Sequence, residues 1–454
     1  FHVIGLYFLV AKPDSTIEEQ KTKLKFLKRK GLNFKFLWYN IRMTQAEALG
    51  ILKTGASVFI TGAAGSGKTY LLNQYIKYLR EHDVEIGITA STGIAATHMG
   101  GMTIHAFSGL GIRSVLTEYD ILELEERQYL WKRFERTNIL IIDEISMLHH
   151  FRLDLIERLV RTFKRNEEPW GGMQVIFCGD FFQLPPISRR DEEEALFAYH
   201  SESWKNLGLK VCYLEEQHRQ DEVGFLEILN AIREGRIDES HKKTLHSRLG
   251  TKQKSILNGA RLYTHNADVD AENERELAKI SGKIFEYSMA SRGNPHLAET
   301  IKKGCLAPEK LRLKKGARVM FVKNSYEEGY ANGTLGVVED CERDFIRVRT
   351  SQGEMIDVSP VSWKIEEAGK TKAEINQYPL RLAWAITVHK SQGMSLDAAE
   401  VDLSKAFEKG MGYVALSRVK TLEGLSLLGI NEGALVVDSE VAEFDRDFRE
   451  QSKK

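Results

Sequence analysis

The eight residues from Gly62 to Thr69, GAAGSGKT, fit the spacing G-x-x-x-x-G-K-[ST]. They follow the apolar run SVFIT and open LLNQYIKYLREH, which has helical spacing. A strand that runs through glycines into a helix leaves backbone N–H groups free to close around a phosphate. Gly62, Ala63, Ala64, Gly65, Ser66, Gly67, Lys68, Thr69 and Tyr70 are therefore the expected nucleotide-binding stretch. Lys68 brings a point charge to the β- and γ-phosphates, and Thr69 a hydroxyl for Mg²⁺.

Two further stretches end in acids. In NILIIDEIS, Asp143 closes an apolar run and suits Mg²⁺, while Glu144 suits the base that polarises an attacking water. No [NT]KxD guanine-reading motif is present, so ATP is the expected nucleotide. In QVIFCGDFFQLPP an apolar run ends at Asp180, followed by Gln183 and the pair Pro185 and Pro186. Ligands of open α/β sheets sit at the carboxyl edge of the strands. Asp180 is then expected beside the metal edge, and Gln183 within reach of the γ-phosphate, with the prolines fixing its turn. The plainer readings are a chance glycine turn, a surface acid pair and a stiff reversal.

Such residues need a sheet whose strands end together. From about residue 43, apolar runs (SVFIT, EIGITA, NILIIDEI, MQVIFCGD) alternate with helical stretches. Buried parallel strands with crossover helices follow, a doubly wound α/β domain. A second α/β stretch begins near LKVCYLEE and includes ARLYTHNA, LRLAWAITVHKSQG and GLSLLGI. Between them, GARVMFVKN, TLGVVED, FIRVRTS and EMIDVSP read as short strands of an inserted β-barrel. Residues 1–40 stand apart. STIEEQKTKLKFLKRKG reads as a basic helix with Ser15 and Glu18 as a capping box and Gly31 as its stop. KFLKRKGLNFKF fits either a nucleic-acid contact or a solvated helix face.

Composition bounds these readings. The chain of 454 residues suggests about three domains. Lys+Arg and Asp+Glu both number 64, so net charge gives no support for a nucleic-acid partner, and any basic track is local. Cys178, Cys212, Cys305 and Cys341 lie far apart, which fits neither a zinc site nor a disulfide framework and agrees with a reducing compartment. The apolar start FHVIGLYFLV is too short to span a bilayer. The absence of an initial Met fits a fragment or a processed form.

Eight segments occur in order: GAAGSGKT, ASTGIAA, TIHAFSGLG, IIDEISM, GDFFQLPP, EQHRQ, ITVHKSQG and YVALSRV. Together they resemble the motif series of superfamily 1B helicases, which move 5′ to 3′. The match is closest to the Pif-one-type (petite integration frequency) DNA helicases, with RecD-type helicases as near relatives. FRLDLIERLVR…PWGGMQVIFCGDF resembles that family's signature segment, and the likeness covers about residues 43 to 430.

The resemblance implies two RecA-like P-loop domains with parallel sheets, a small all-β (Src-homology-three-like) barrel and a short wedge insertion. The implied boundaries are an N-terminal extension at 1–42, a first domain at 43–215 with the wedge at about 106–120, a second domain at 216–305 and 379–437, the barrel at 306–378, and a tail at 438–454. Gln45 resembles the adenine-contacting glutamine. Arg219 and Arg418 resemble the arginines that reach the γ-phosphate, and Gln392 and Gly393 line the same cleft. Thr92, His105, Phe107 and Ser108 on one side, and Thr264, His265, Asn266, Thr387, His389 and Lys390 on the other, are the implied strand contacts, with Phe107 stacking on a base or simply core. GLGIRSVL resembles the wedge. ATP and Mg²⁺ are the implied cofactors. Implied partners are single-stranded, duplex and forked DNA and G-quadruplexes, with no membrane. A monomer is expected, with a dimer on DNA left open. Repair, recombination and telomere maintenance are the implied processes. The implied location is cytoplasm or nucleoid in a bacterium, nucleus or mitochondrion in a eukaryote. Two other readings remain: a DNA-stimulated ATPase that remodels DNA without separating strands, and a nucleotide switch without turnover.

Overall fold

The computed structural model describes residues 43–453 apart from 112, 187–193, 195, 218, 220–221, 252–259, 266–268, 324, 326, 331, 343–344, 351–352 and 368–369. The N-terminal extension and Asn266 lie outside the described residues.

The first sheet has six parallel strands: β1 Val58–Gly62, β2 Ile86–Ala90, β3 Met102–Thr103, β4 Ile139–Asp143, β5 Gln174–Cys178 and β6 Lys210–Leu214. Their order is β3-β2-β4-β5-β1-β6. VFITG and ILIID are buried at every position, as strands covered by helices on both faces must be. A second sheet of four parallel strands has the order Ala385–Thr387, Ala260–Tyr263, Ala399–Leu403, Leu425–Ile430. These are the two α/β units that the alternation of apolar runs implies.

The β-rich region is wider than its apolar texture suggests. A five-stranded antiparallel sheet runs from Arg318–Phe321 to Leu380–Leu382. Ile346–Thr350 alternates buried and half-buried residues, the period-two signature of a one-sided strand. The hairpin Val361–Glu367 with Lys370–Gln377 recruits Ala290–Gly293, and Phe285–Ser288 pairs with Lys310–Leu313. The strands at 285–293 thus join the β region from chain assigned by resemblance to the second α/β domain. Their sequence, FEYSMASRG, is too polar to register as core strand.

The stretch resembling a wedge is a short helix, Ile104–Ser108, closed by Gly109, and a loop leading to the helix Glu118–Glu125. Arg113 ties that loop to Asp120 and Glu123, each at 3.3 Å, leaving Val115 67% exposed.

The terminal stretch read as a tail forms a helix, Ser439–Gln451, that returns to the first domain. Phe448 lies 5.0 Å from Phe59, and Phe444 lies 4.1 Å from Tyr199. The Tyr213 amide donates to Ser452 Oγ at 3.0 Å, tying the helix end to β6. Among the described residues no helix is long and apolar enough to cross a membrane. Truncating Phe448 opens a void in this aromatic cluster. Phe448→Ala should cost about 3–5 kcal/mol, measured as a shift of the urea midpoint. An unchanged midpoint would show that the helix is peripheral.

Candidate nucleotide site between two α/β domains

The phosphate loop leaves β1 at Gly62, whose φ of +143° places it in glycine's range, and a Cβ there would collide with Leu214 O. The loop turns into the helix Lys68–Glu81 at Gly67, which is left-handed and gives no side-chain cap. The first-turn amides are therefore left for an anion. Lys68 Nζ donates to Gly62 O at 2.8 Å and to Ala63 O at 3.0 Å, so its charge is held over the loop. Thr69 and Tyr70 begin the exposed side of this helix. Gln45 opens the helix Gln45–Leu52, which packs on it.

The acidic wall is the end of β4. Glu144 adopts a left-handed backbone with φ +52°, unusual for a side chain of its size. The turn is held from β2's end: Ser91 Oγ donates to Glu144 O at 2.6 Å and Ser91 N to Asp143 O at 3.0 Å. The Asp143 carboxyl accepts the Glu144 amide at 2.9 Å. Burial pushes both acids up. Asp143 is raised although Cys178, the Glu144 amide and Lys68 oppose the shift. Glu144 is pushed up to about 7 by burial and by Asp143, against Lys68 and Arg418.

The opposite wall comes from the second domain. Arg418 is 2% exposed and donates to Val414 O and Ser417 Oγ, at 2.9 and 2.8 Å. Arg219 donates to Ser417 O at 3.2 Å. The bonds of both guanidinium groups go to neutral oxygens. Burial, with Arg418 beside it, depresses Arg219 to about 9, while Tyr413 and Glu144 pull the other way. Burial likewise lowers Arg418, opposed first by Glu144. One buried and one half-buried cation near Glu144 and the phosphate loop suit an anion. Gln392 Nε2 donates to Glu144 Oε2 at 3.0 Å, a direct bond across the cleft, and Gly393 follows it.

Asp180 lies close enough to the acid pair to raise Glu144, but its carboxyl is committed to other partners. It is fully buried, and Arg233 Nη2 reaches Asp180 Oδ1 at 3.2 Å and Asp445 Oδ1 at 3.1 Å. The reason is that the chain turns inward after β5, and Gly410 of the second domain packs against the carbonyls of Phe182 and Gln183. Gln183 is buried too, its Nε2 3.3 Å from Asp180 Oδ2. Tyr413 OH donates to that oxygen at 3.3 Å and accepts the Ala64 amide at 2.9 Å. A hydrogen-bonded line thus runs from Gln183 through Asp180 and Tyr413 to the phosphate loop. Sequence reading missed Tyr413, although it lies in the quoted YVALSRV. It also missed Ser91, although that residue lies in ASTGIAA, and Arg233 and Asp445, which lie outside the eight segments.

The residues read as strand contacts divide. Phe107 is core, 5.4 Å from Phe134, and Ser108 is fully buried with its hydroxyl on Ile104 O, so neither is presented to a strand here. His105 shares their short helix. Thr92 Oγ accepts the Ala95 amide, capping the helix Gly93–His98. Thr264 Oγ bonds His265 Nδ1 at 2.9 Å, and the His265 ring lies 5.1 Å from Phe407. Thr387 is buried and accepts the Lys390 amide at 3.2 Å. His389, 3.6 Å from Glu408, and Lys390 are half-buried.

Removing Arg233 strands two buried carboxylates. Arg233→Met should destabilise by about 3–5 kcal/mol, with part of the loss restored in the double variant with Asp180→Asn. Chemical denaturation of the single and double variants measures this, and a near-neutral Arg233→Met would contradict the pairing.

Comparison with known proteins agrees with this architecture. Residues 43–243 match the PIF1-like helicase family, and residues 296–340 match the DNA helicase Pif1 2B domain. The chain is 43% identical to the ATP-dependent DNA helicase Pif1 of Psychrobacter sp., over 90% of this chain and 71% of that one. It superposes on Bacteroides sp. Pif1 in complex with ADP-AlF4 with a TM-score of 0.78 at 31% identity, covering 90% of this chain and 97% of that one. On Bacteroides Pif1 with ADP-AlF3 and single-stranded DNA the TM-score is 0.64, at 31% identity and the same coverage. With its phosphate loop, acid pair and facing arginines all in place, the chain belongs to the PIF1-like helicase family.

Proposed function

We propose that this chain is an ATP-dependent DNA helicase that moves 5′ to 3′ along single-stranded DNA and opens duplex at forks. One observation carries the reading. Arg219, half-buried, and Arg418, buried, donate to neutral oxygens among the described residues and stand close enough to Glu144 to feel its charge. Phosphoryl transfer needs charge stabilisation at the γ-phosphate, and cations from a second domain supply it only when the cleft is closed. Hydrolysis removes that contact, so closure and opening follow the nucleotide.

Each residue has a part. Lys68 and the first-turn amides bind the phosphates, Glu144 takes the proton of the attacking water, and Gln183 reads the γ-phosphate through the line Asp180–Tyr413–Ala64. Mg²⁺ fits the donor set of Thr69 and Asp143. It is a hard cation that keeps waters and phosphate oxygens as ligands and needs no larger protein cage. Among the described residues no cluster of three or more His, Cys, Asp or Glu offers one. Asp143, held up by burial, is the carboxyl such a cation would restore to its charged form. When bound, the ion neutralises charge on the β- and γ-phosphates.

Thr92 and His105 on the first domain, and His389 and Lys390 on the second, are the side chains proposed to track a strand without reading bases. The likeness to Bacteroides Pif1 solved with ADP-AlF3 and single-stranded DNA supports that partner.

Lys68→Ala should abolish ATP hydrolysis while leaving single-stranded DNA binding measurable by fluorescence anisotropy. Glu144→Gln should lower kcat by about 10²–10⁴-fold with ATP still bound. Turnover unchanged in Glu144→Gln would remove the catalytic assignment. For direction, a 5′-tailed duplex should release its labelled strand and a 3′-tailed one should not. Hydrolysis without release from either substrate would favour a translocase that does not unwind.

A further inference from the structure

We infer that Gln392 is a positioning residue that restrains Glu144 until a strand engages the turn Thr387–Gln392, so that DNA occupancy gates hydrolysis. The inference rests on the roles proposed above for Glu144 and for that turn.

Gln392 is buried, and its amide Nε2 donates to Glu144 Oε2 at 3.0 Å across the cleft. The Glu144 backbone cannot follow a moving partner, since Ser91 clamps its carbonyl and β4 ends immediately before it. Only its side chain can turn. A general base must come within about 2.6–3.2 Å of the atom whose proton it takes. A carboxylate aimed at Gln392 is aimed at the second domain, and the oxygen that accepts the amide has that lone pair occupied. The bond must yield for this oxygen to serve a water.

The turn that carries Gln392 is wound tightly enough to act as one lever. Lys390 N donates to Thr387 Oγ at 3.2 Å, Ser391 Oγ and N both donate to Val388 O, at 2.7 and 3.1 Å, and Met394 N donates to Ser391 O at 3.0 Å. Gly393, at φ +78°, lets the chain leave in the left-handed region. His389 and Lys390, the half-buried side chains of this turn, lie within at most about 11 Å and 7 Å of Gln392 along the backbone. A phosphate drawn to them shifts the same rigid turn that holds the amide. Over the whole chain, the superposition is better on Bacteroides Pif1 with ADP-AlF4, TM-score 0.78, than on the form with ADP-AlF3 and single-stranded DNA, 0.64.

The test is steady-state ATP turnover of the full chain with and without oligo-dT. Loss of one hydrogen bond to a charged group sets the scale: Gln392→Ala should raise DNA-free kcat on the order of 10-fold. The ratio of DNA-stimulated to DNA-free turnover should fall by the same factor. KM for ATP should stay within about 2-fold, since the P-loop contacts that bind the phosphates are untouched. A merely structural role would lower both rates together. Gln392→Met keeps the volume without the donor, and the same pattern is expected of it if the alanine variant folds poorly. DNA-free kcat that is unchanged or reduced in both variants, with the stimulation ratio intact, overturns the inference. If the wild type shows no DNA-stimulated turnover, or Glu144→Gln turns over like the wild type, the underlying reading falls and the inference with it.

Discussion

One buried guanidinium holds the two domains in register. Arg233 is 2% exposed, with Nη2 shared between Asp180 and Asp445, Nη1 on Tyr213 OH, and the Phe182 ring 4.4 Å from its Cζ. Burial works against its charge, and Tyr213, Asp180 and Asp445 together outweigh that, so it is more firmly protonated than a free arginine. Its partners come from the loop after β5, from β6 and from the C-terminal helix. A charge this deep tolerates one arrangement of these segments, because any slip leaves an ion without a partner in low dielectric. The ion pairs therefore act less as a source of stability than as a specification of where the segments meet.

The consequence for the site follows through Asp180. With one oxygen on Arg233 and the other on Tyr413 and Gln183, Asp180 cannot rotate toward a metal. It instead fixes the phenol whose oxygen meets the Ala64 amide, and Tyr413 lies in the helix Met411–Leu416, five residues before Arg418 in the turn that follows it. The phosphate loop and the arginine that faces it are thus measured against each other through a single tyrosine. The Gly410 approach to the Phe182 and Gln183 carbonyls belongs to the same constraint, because a Cβ would lie 2.5 Å from Phe182 O.

What the sequence made legible follows from locality. The phosphate loop, Asp143 and Glu144 were readable because strand, turn and helix N-terminus are contiguous, and the spacing alone implies the chemistry. The parallel sheets were readable because doubly covered strands are continuous apolar runs. The partner of Asp180 was not legible for the opposite reason. The acid's position after an apolar strand matches that of Asp143, but its partner Arg233 lies 53 residues on, and nothing local distinguishes an acid that meets a cation from one that meets a metal. TIHAFSG looks polar in one dimension, yet the helix buries Ser108, and of the two readings of Phe107 the core one holds. The helix SEVAEFDRDFREQ looked like a tail because its apolar residues, Val441, Phe444 and Phe448, are sparse, and only the aromatic cluster they join makes them core.

The two kinds of contact between the domains divide their work by physical type. The C-terminal helix anchors through Phe444 and Phe448 in a cluster with Phe59, Phe181, Tyr199 and Trp204, contacts that lose energy steeply when opened. The cleft itself is crossed by single hydrogen bonds, Tyr413 to Ala64 and Gln392 to Glu144, each of which water can replace at little net cost. The cleft is therefore the more easily opened of the two contacts, and the buried ion cluster at Arg233 reaches both the C-terminal helix and, through Asp180, the Tyr413 bond.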